Sequence, residues 1–187
     1  MLVDKTVSQL LEAFASSDPT PGGGSASALA AAVGASLLLM VARMPKTRSS
    51  AEADRAALDR AASGLAPLAI VLRDLIDKDT AAYNQVVAAY RLPKGTDEEK
   101  AARKDAIQRA MRAAIEAPLA VMRACRAALA HAAAIEAHGN PNAASDVTVA
   151  KELLGAGLNG ARANVDINLP GISDADYVTR VKAELVQ

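Results

Sequence analysis

From Ser25 to Ala42 the chain runs through eighteen consecutive residues, SASALAAAVGASLLLMVA, without a charge, and Arg43, Lys46 and Arg48 follow at once. That length sits at the lower limit for a membrane span, but a helix that is apolar all round is equally the central helix of a bundle. The internal pattern favours the bundle. Leu29, Val33, Leu37, Met40 and Met44 recur at helical spacing as a bulky stripe, while Ser27, Ala31, Gly34, Ala35 and Ala42 leave a small-residue surface where another helix can approach. The whole chain shares this bias, with 45 alanines among 187 residues and only Phe14, Tyr83, Tyr90 and Tyr177 aromatic. Alanine is the best helix former and is depleted in strands. The expectation is an all-α antiparallel helical bundle.

The length suits a single domain over 1–187. Its 21 basic and 21 acidic residues leave no basic excess, and with so few aromatic platforms nucleic acid is not an expected partner. Cys125 is the only cysteine, which rules out intrachain disulfides and thiolate clusters for zinc or iron–sulfur centres. Lys5 is the only early positive charge and no apolar signal region follows it, so a cytoplasmic protein with no membrane partner is expected.

Helical spacing of Val3, Val7, Leu10, Leu11 and Phe14 predicts a helix over 3–15, stopped by SSDPTPGGGS. Two long runs follow, 51–90 and 97–138. Pro67 and Pro118 lie inside them and are expected to kink or split each run. RLPKGT makes the turn between the runs, with Thr96 as N-cap before Asp97, Glu98 and Glu99. After HGNPNAAS a further helix runs from about 146 to 169, ended by Pro170 and Gly171, and a short one starts near Ser173. With short connections, consecutive helices should be antiparallel neighbours.

Three features can carry chemistry. The first is Pro19–Ser25 (PTPGGGS), standing directly before the apolar helix. Three glycines are costly to order, so a use of their backbone freedom is expected. Before a helix N-terminus they offer amide donors to an anionic or carbonyl-bearing ligand; the alternative is a tight turn with Ser25 as N-cap. The second is the stripe Asp146, Ala150, Leu153, Gly157, Ala161, Asn164 and Asn168, small in the middle and polar at its ends. Asp146 and Asn164 are five turns apart, about 27 Å at 1.5 Å per residue, and cannot share one site in one subunit. Two copies crossing antiparallel at the glycines would bring them together; alternatively Asp146 caps the helix and the asparagines end it. The third is the cluster Asp74, Asp77 and Asp79. Asp79 has Tyr83 one turn away on the same face and leads into an apolar segment, so it is a candidate acid or base, while Asp74 and Asp77 read as solvated. Lys94 either reaches back to a pocket or stays in water. His131 and His138 are too far apart for one metal, Cys125 reads as a small buried residue, and no metal site is expected.

PTPGGGSASALAAAVGASLLLMVARM, DKDTAAYNQVVAAYRLPKGTDEEKAAR, APLAVMRACRAAL and GNPNAASDVTVAKELLGAGLNGARANVDINL, taken in order, resemble the cyclodeaminase/cyclohydrolase family of tetrahydrofolate enzymes. The resemblance spans nearly the whole chain. It implies an all-helical homodimer of long kinked helices, with a folate substrate in a groove near the subunit interface and no tightly bound cofactor. Carried over by residue, it assigns Pro21, Gly22, Gly23, Gly24, Ser25, Tyr83, Pro93, Asn164 and Asn168 to substrate binding, and Asp79, Lys94 and Asp146 to catalysis, with Asp146 supplied by the second subunit. One departure is MPKTRSS at 44–50, where many relatives carry a GKKKY-like basic segment. The implied reaction is hydrolysis of 5,10-methenyltetrahydrofolate to 10-formyltetrahydrofolate, favoured because no formiminotransferase portion accompanies the sequence. The alternatives are formiminotetrahydrofolate cyclodeamination with release of ammonia and a non-enzymatic helical dimerisation module.

Overall fold

A computed structural model describes residues 1–186, all in helices and their connections, with no strand among them. The helices are α1 (Val7–Ala15), α2 (Gly23–Arg43), α3 (Glu52–Tyr90), α4 (Asp97–Leu129), α5 (Ala132–His138), α6 (Ala144–Asn168) and α7 (Ala175–Leu185). The expected all-α class is met. Four long helices, α2, α3, α4 and α6, make the bundle, each packing against two others in the ring α2–α3–α4–α6. Leu38, Leu65, Leu72, Leu119, Met122 and Leu154 fill its centre.

Local signals account for most boundaries. α1 starts at Val7 rather than Val3 because Thr6 and Gln9 form a reciprocal capping box; Leu2–Asp4 is instead a short 3-10 turn, whose Leu2 and Val3 amides donate to Asp77. Thr96 caps α4 as predicted, paired with Glu99. The prolines do not split their helices: α3 runs unbroken through Pro67 and α4 through Pro118. A proline costs about 3 kcal/mol or more inside a helix, less than a helix of this length recovers by packing on its neighbours. The 97–138 run breaks instead at Ala130–His131. α7 docks on α4 through Arg112–Asp174 and the Arg123–Glu184 fork at 2.6 and 2.7 Å, with the Tyr177 hydroxyl donating to Glu116 at 2.8 Å.

The small-residue surface of α2 meets the small-residue stripe of α6. A methyl added at Gly157 would stand 2.8 Å from the Ala31 Cβ and the Ser27 carbonyl oxygen; one at Gly34 would stand 2.7 Å from the Ala150 carbonyl oxygen; one at Gly160 would collide with the Ser27 hydroxyl. These contacts run the two helices antiparallel. The sequence reading placed the glycine crossing between two copies, whereas it is formed inside one chain, joining helices that are not consecutive. α2 is long and apolar enough to cross a membrane, yet this face is buried, with Ala28, Ala31, Ala35 and Leu38 fully enclosed. Its bulky stripe is different: Val33 and Met40 are exposed. Cys125 lies in the core, and burial pushes its thiol up to about 12.

Candidate functional site

The site is built where the start of α2 meets the middle of α3 and the end of α6. Gly22 is the N-cap, in extended conformation, and α2 begins at Gly23, so Ser25 sits in the first turn rather than at the cap. None of the described glycines takes a positive φ. The value of glycine here is therefore a missing side chain rather than a special backbone angle, which corrects the sequence-based expectation. A methyl at Gly24 would land on the Asp79 carboxylate, so glycine lets α3 bring that carboxylate directly against the α2 backbone.

Asp79 is half-buried. The Ser25 amide donates to its Oδ2 at 2.9 Å, satisfying one of the first-turn donors that no intrahelical carbonyl reaches. The Ser25 hydroxyl lies 3.2 Å from the same oxygen, 2.8 Å from the Ile76 carbonyl oxygen and 3.2 Å from the Thr80 hydroxyl. Oδ1 accepts no hydrogen bond, and no cation pairs with Asp79, among the described residues. Burial raises its proton affinity above the ordinary carboxylate value, outweighing the Ser25 donors, which pull it down. A carboxyl group with one oxygen anchored, one free and an enhanced hold on its proton is suited to general acid or base work.

On α6, the Asn164 side-chain amide donates to the Gly160 carbonyl at 2.8 Å and lies 3.6 Å from where a Gly23 side chain would begin. Asn168 donates to the carbonyls of Asn164 and Ala114 at 2.9 and 3.4 Å. Asn168 thus uses both N–H donors and Asn164 one of its two, and both side-chain oxygens are left as acceptors. One turn beyond Asp79, Tyr83 lines an open groove of 710 Å³ with Pro19, Val87, Arg91 and Pro93. The predicted residues Gly23, Gly24, Ser25, Asp79 and Asn164 therefore converge, Tyr83 and Pro93 share the adjoining groove, and Pro21 and Gly22 form the half-buried entry to α2.

Two predicted residues stand apart. Lys94 lines a separate basic groove of 320 Å³ with Lys100, Arg103 and Lys104. Asp146 is in the first turn of α6, where Ala143 is the N-cap and no side chain caps the helix, so the capping role is not the one it plays. It lies at the opposite end of α6 from Asn164.

Sequence reasoning missed Thr80, whose partner Ser25 is 55 residues away, and a second polar cluster at the far end of α2. There the Ser49 amide and hydroxyl donate to Asp54 Oδ2 at 2.8 and 2.7 Å, and His138 Nδ1 is 2.7 Å from Oδ1. Asp54 is buried, and the Ser49 hydroxyl, then His138, hold its carboxyl down at about 2. His131 faces Gly64 on α3, where a side chain would collide with its ring. His131 thus packs against α3, and His138 pairs with Asp54. Among the described residues no cluster of three metal-ligating side chains occurs.

Comparison with known proteins places this arrangement. The chain is 39% identical to a methenyltetrahydrofolate cyclohydrolase of Methylorubrum extorquens, over 99% of this chain and 89% of that protein. It is 36% identical to a formimidoyltransferase-cyclodeaminase of Dictyostelium discoideum over 98% of this chain, and 31% identical to that of Sus scrofa over 98%. The chain spans about a third of the length of these two. The crystal structure of formiminotetrahydrofolate cyclodeaminase from Thermotoga maritima superposes with a TM-score of 0.85 at 26% identity, covering 99% of this chain and 88% of that one. The family profile described as Formiminotransferase-cyclodeaminase matches residues 6–187, and the chain belongs to that family.

Proposed function

We propose that the protein is a tetrahydrofolate one-carbon enzyme that hydrolyses 5,10-methenyltetrahydrofolate to 10-formyltetrahydrofolate. The observation that carries the choice of reaction is the 39% identity to a methenyltetrahydrofolate cyclohydrolase, end to end in both chains. Asp79 is the acid/base. Its free Oδ1 takes a proton from water as the oxygen adds to the cationic bridging carbon. It then returns that proton to N5 as the carbon–N5 bond breaks, while the hydroxyl proton of the tetrahedral adduct leaves to solvent, so that the carbon remains on N10 as a formyl group. Tyr83 and Pro93 line the wall against which the flat part of the substrate lies, Gly22, Gly23 and Gly24, following the turn at Pro21, bring backbone donors to it, and Asn164 and Asn168 offer side-chain oxygens as acceptors. The folate itself is the reacting group and no further cofactor is needed.

A homodimer is the proposed working unit. Asp146 and Asn164 lie about 27 Å apart along α6, so Asp146 reaches a site of this kind only from a second copy. With the glycine stripe used inside the chain, the face available is the apolar groove of 720 Å³ between α2 and α3, where Val33, Met40 and Ile70 are exposed. Val33→Glu is expected to give a monomer by sedimentation and, if the site is shared, to lose turnover with it.

The test of the reaction is the loss of methenyltetrahydrofolate absorbance above the spontaneous rate, beside ammonia release from formiminotetrahydrofolate. The fold likeness to the Thermotoga maritima cyclodeaminase favours the second reaction as the alternative. Ammonia release without cyclohydrolase turnover would replace the first reading with it, and no turnover of either would leave a helical dimerisation module.

A further inference from the structure

Ser25 is completely buried, so it does not touch a substrate that arrives from the groove, and its four polar contacts outnumber what its donors can satisfy at once. Its hydroxyl carries a single hydrogen, yet Ile76 O at 2.8 Å and Asp79 Oδ2 at 3.2 Å both compete for it. The third neighbour, the Thr80 hydroxyl at 3.2 Å, can donate to Ser25 Oγ in either case. The Ser25 amide holds Oδ2 whichever way the hydroxyl points.

We propose that Ser25 is a positioning residue whose hydroxyl is a two-position donor behind Asp79, with Thr80 as its support. While Asp79 holds a proton, the hydroxyl donates to Ile76 O. When Oδ1 gives the proton up, the hydroxyl turns to Oδ2 and supplies a charge-assisted hydrogen bond. Oδ2 is thereby kept as the anchored oxygen and Oδ1 as the one that exchanges protons. No covalent bond changes at Ser25. This assignment rests on the acid/base reading of Asp79.

The neighbourhood lets that one hydroxyl matter. Gly24 and Ser25 on α2 and Asn164 on α6 do not titrate. On α3, Asp77 faces the Leu2 and Val3 amides, Lys78 is exposed, and Tyr83 lies a turn away. Farther along α6, Arg162 and Asp166 pair with each other on the surface.

The experiment measures the pH dependence of kcat together with a direct titration of the Asp79 carboxyl by carbon-13 NMR, with Asp79→Asn assigning the signal. Removing a hydrogen bond to a charged group disfavours the ionised form. Ser25→Ala is therefore expected to move both the kinetic limb and the NMR titration upward by about one pH unit, Thr80→Val to move them by less in the same direction, and Ser25→Thr to restore the wild-type position. An NMR titration that moves while the kinetic limb stays supports the role of Ser25 and removes the acid/base role of Asp79. A Ser25→Ala protein that folds by circular dichroism and shows neither shift overturns the proposal.

Discussion

Asp79 and Asp54 sit near opposite ends of α2, and each is gripped by a serine in the same way, backbone amide and hydroxyl both directed at Oδ2. Their acidities diverge. Asp54 has a second partner, His138, on its other oxygen and is held at about 2, while Asp79 leaves that oxygen bare and is pushed upward by burial. A serine clamp thus does not decide what a carboxylate is for. The occupant of the remaining oxygen does: with a histidine the group closes a loop, and with nothing it is free to exchange a proton.

The largest effect that can break this contrast is on turnover. Asp79→Asn is expected to lower kcat about 10²–10⁴-fold, the range of general acid–base catalysis, while Asp54→Asn leaves it within a few fold in the same absorbance assay. A deeper loss from Asp54→Asn would reverse the comparison. Stability should respond with opposite signs. A depressed carboxyl stabilises the fold above its ordinary value of 3.8 and loses that contribution as pH falls through about 2. Asp54→Asn should therefore lower the melting midpoint at neutral pH, and the deficit should close as the solution is acidified across that window. Asp79 is raised, so its charge disfavours folding at neutral pH. Asp79→Asn is expected to melt higher there, with the gain shrinking as pH drops through the raised value toward 3.8. His138→Ala sharpens the contrast further: stripped of its second partner, Asp54 should titrate at higher pH, and acid unfolding followed by circular dichroism should begin at higher pH too. The smallest effect is a control belonging to neither clamp. Gly155 has open space around it, so Gly155→Ala is expected to add about 1 kcal/mol in a denaturant titration.

The sequence revealed the fold through its periodicity, and most helix boundaries followed from capping and turn residues that act locally. Thr96 is an example: cap, acidic first turn and Glu99 are all within four residues. Of the two outcomes expected at the prolines, splitting does not occur, because that local cost is set against the packing of a helix of 39 or 33 residues. The small-residue stripes on α2 and α6 were legible as contact surfaces, but their partner was not, since a glycine face fits a helix of its own chain as well as one of another. Asp79 was legible from its apolar setting. Its anchoring was not, because Ser25 meets Ile76, Asp79 and Thr80 across 51 to 55 residues of sequence. The Asp54–His138 pair, 84 residues apart, left no periodic trace at all.

The burial of Cys125 gives the chain a practical property. Its only thiol is enclosed and fully protonated at neutral pH, and the thiolate is the form that reacts with alkylating dyes. The unmodified protein is therefore dark to such reagents, and one cysteine introduced at exposed Asn84 would carry a single label at the mouth of the Tyr83 groove. Folate occupancy could then be watched optically without removing any native residue of the core.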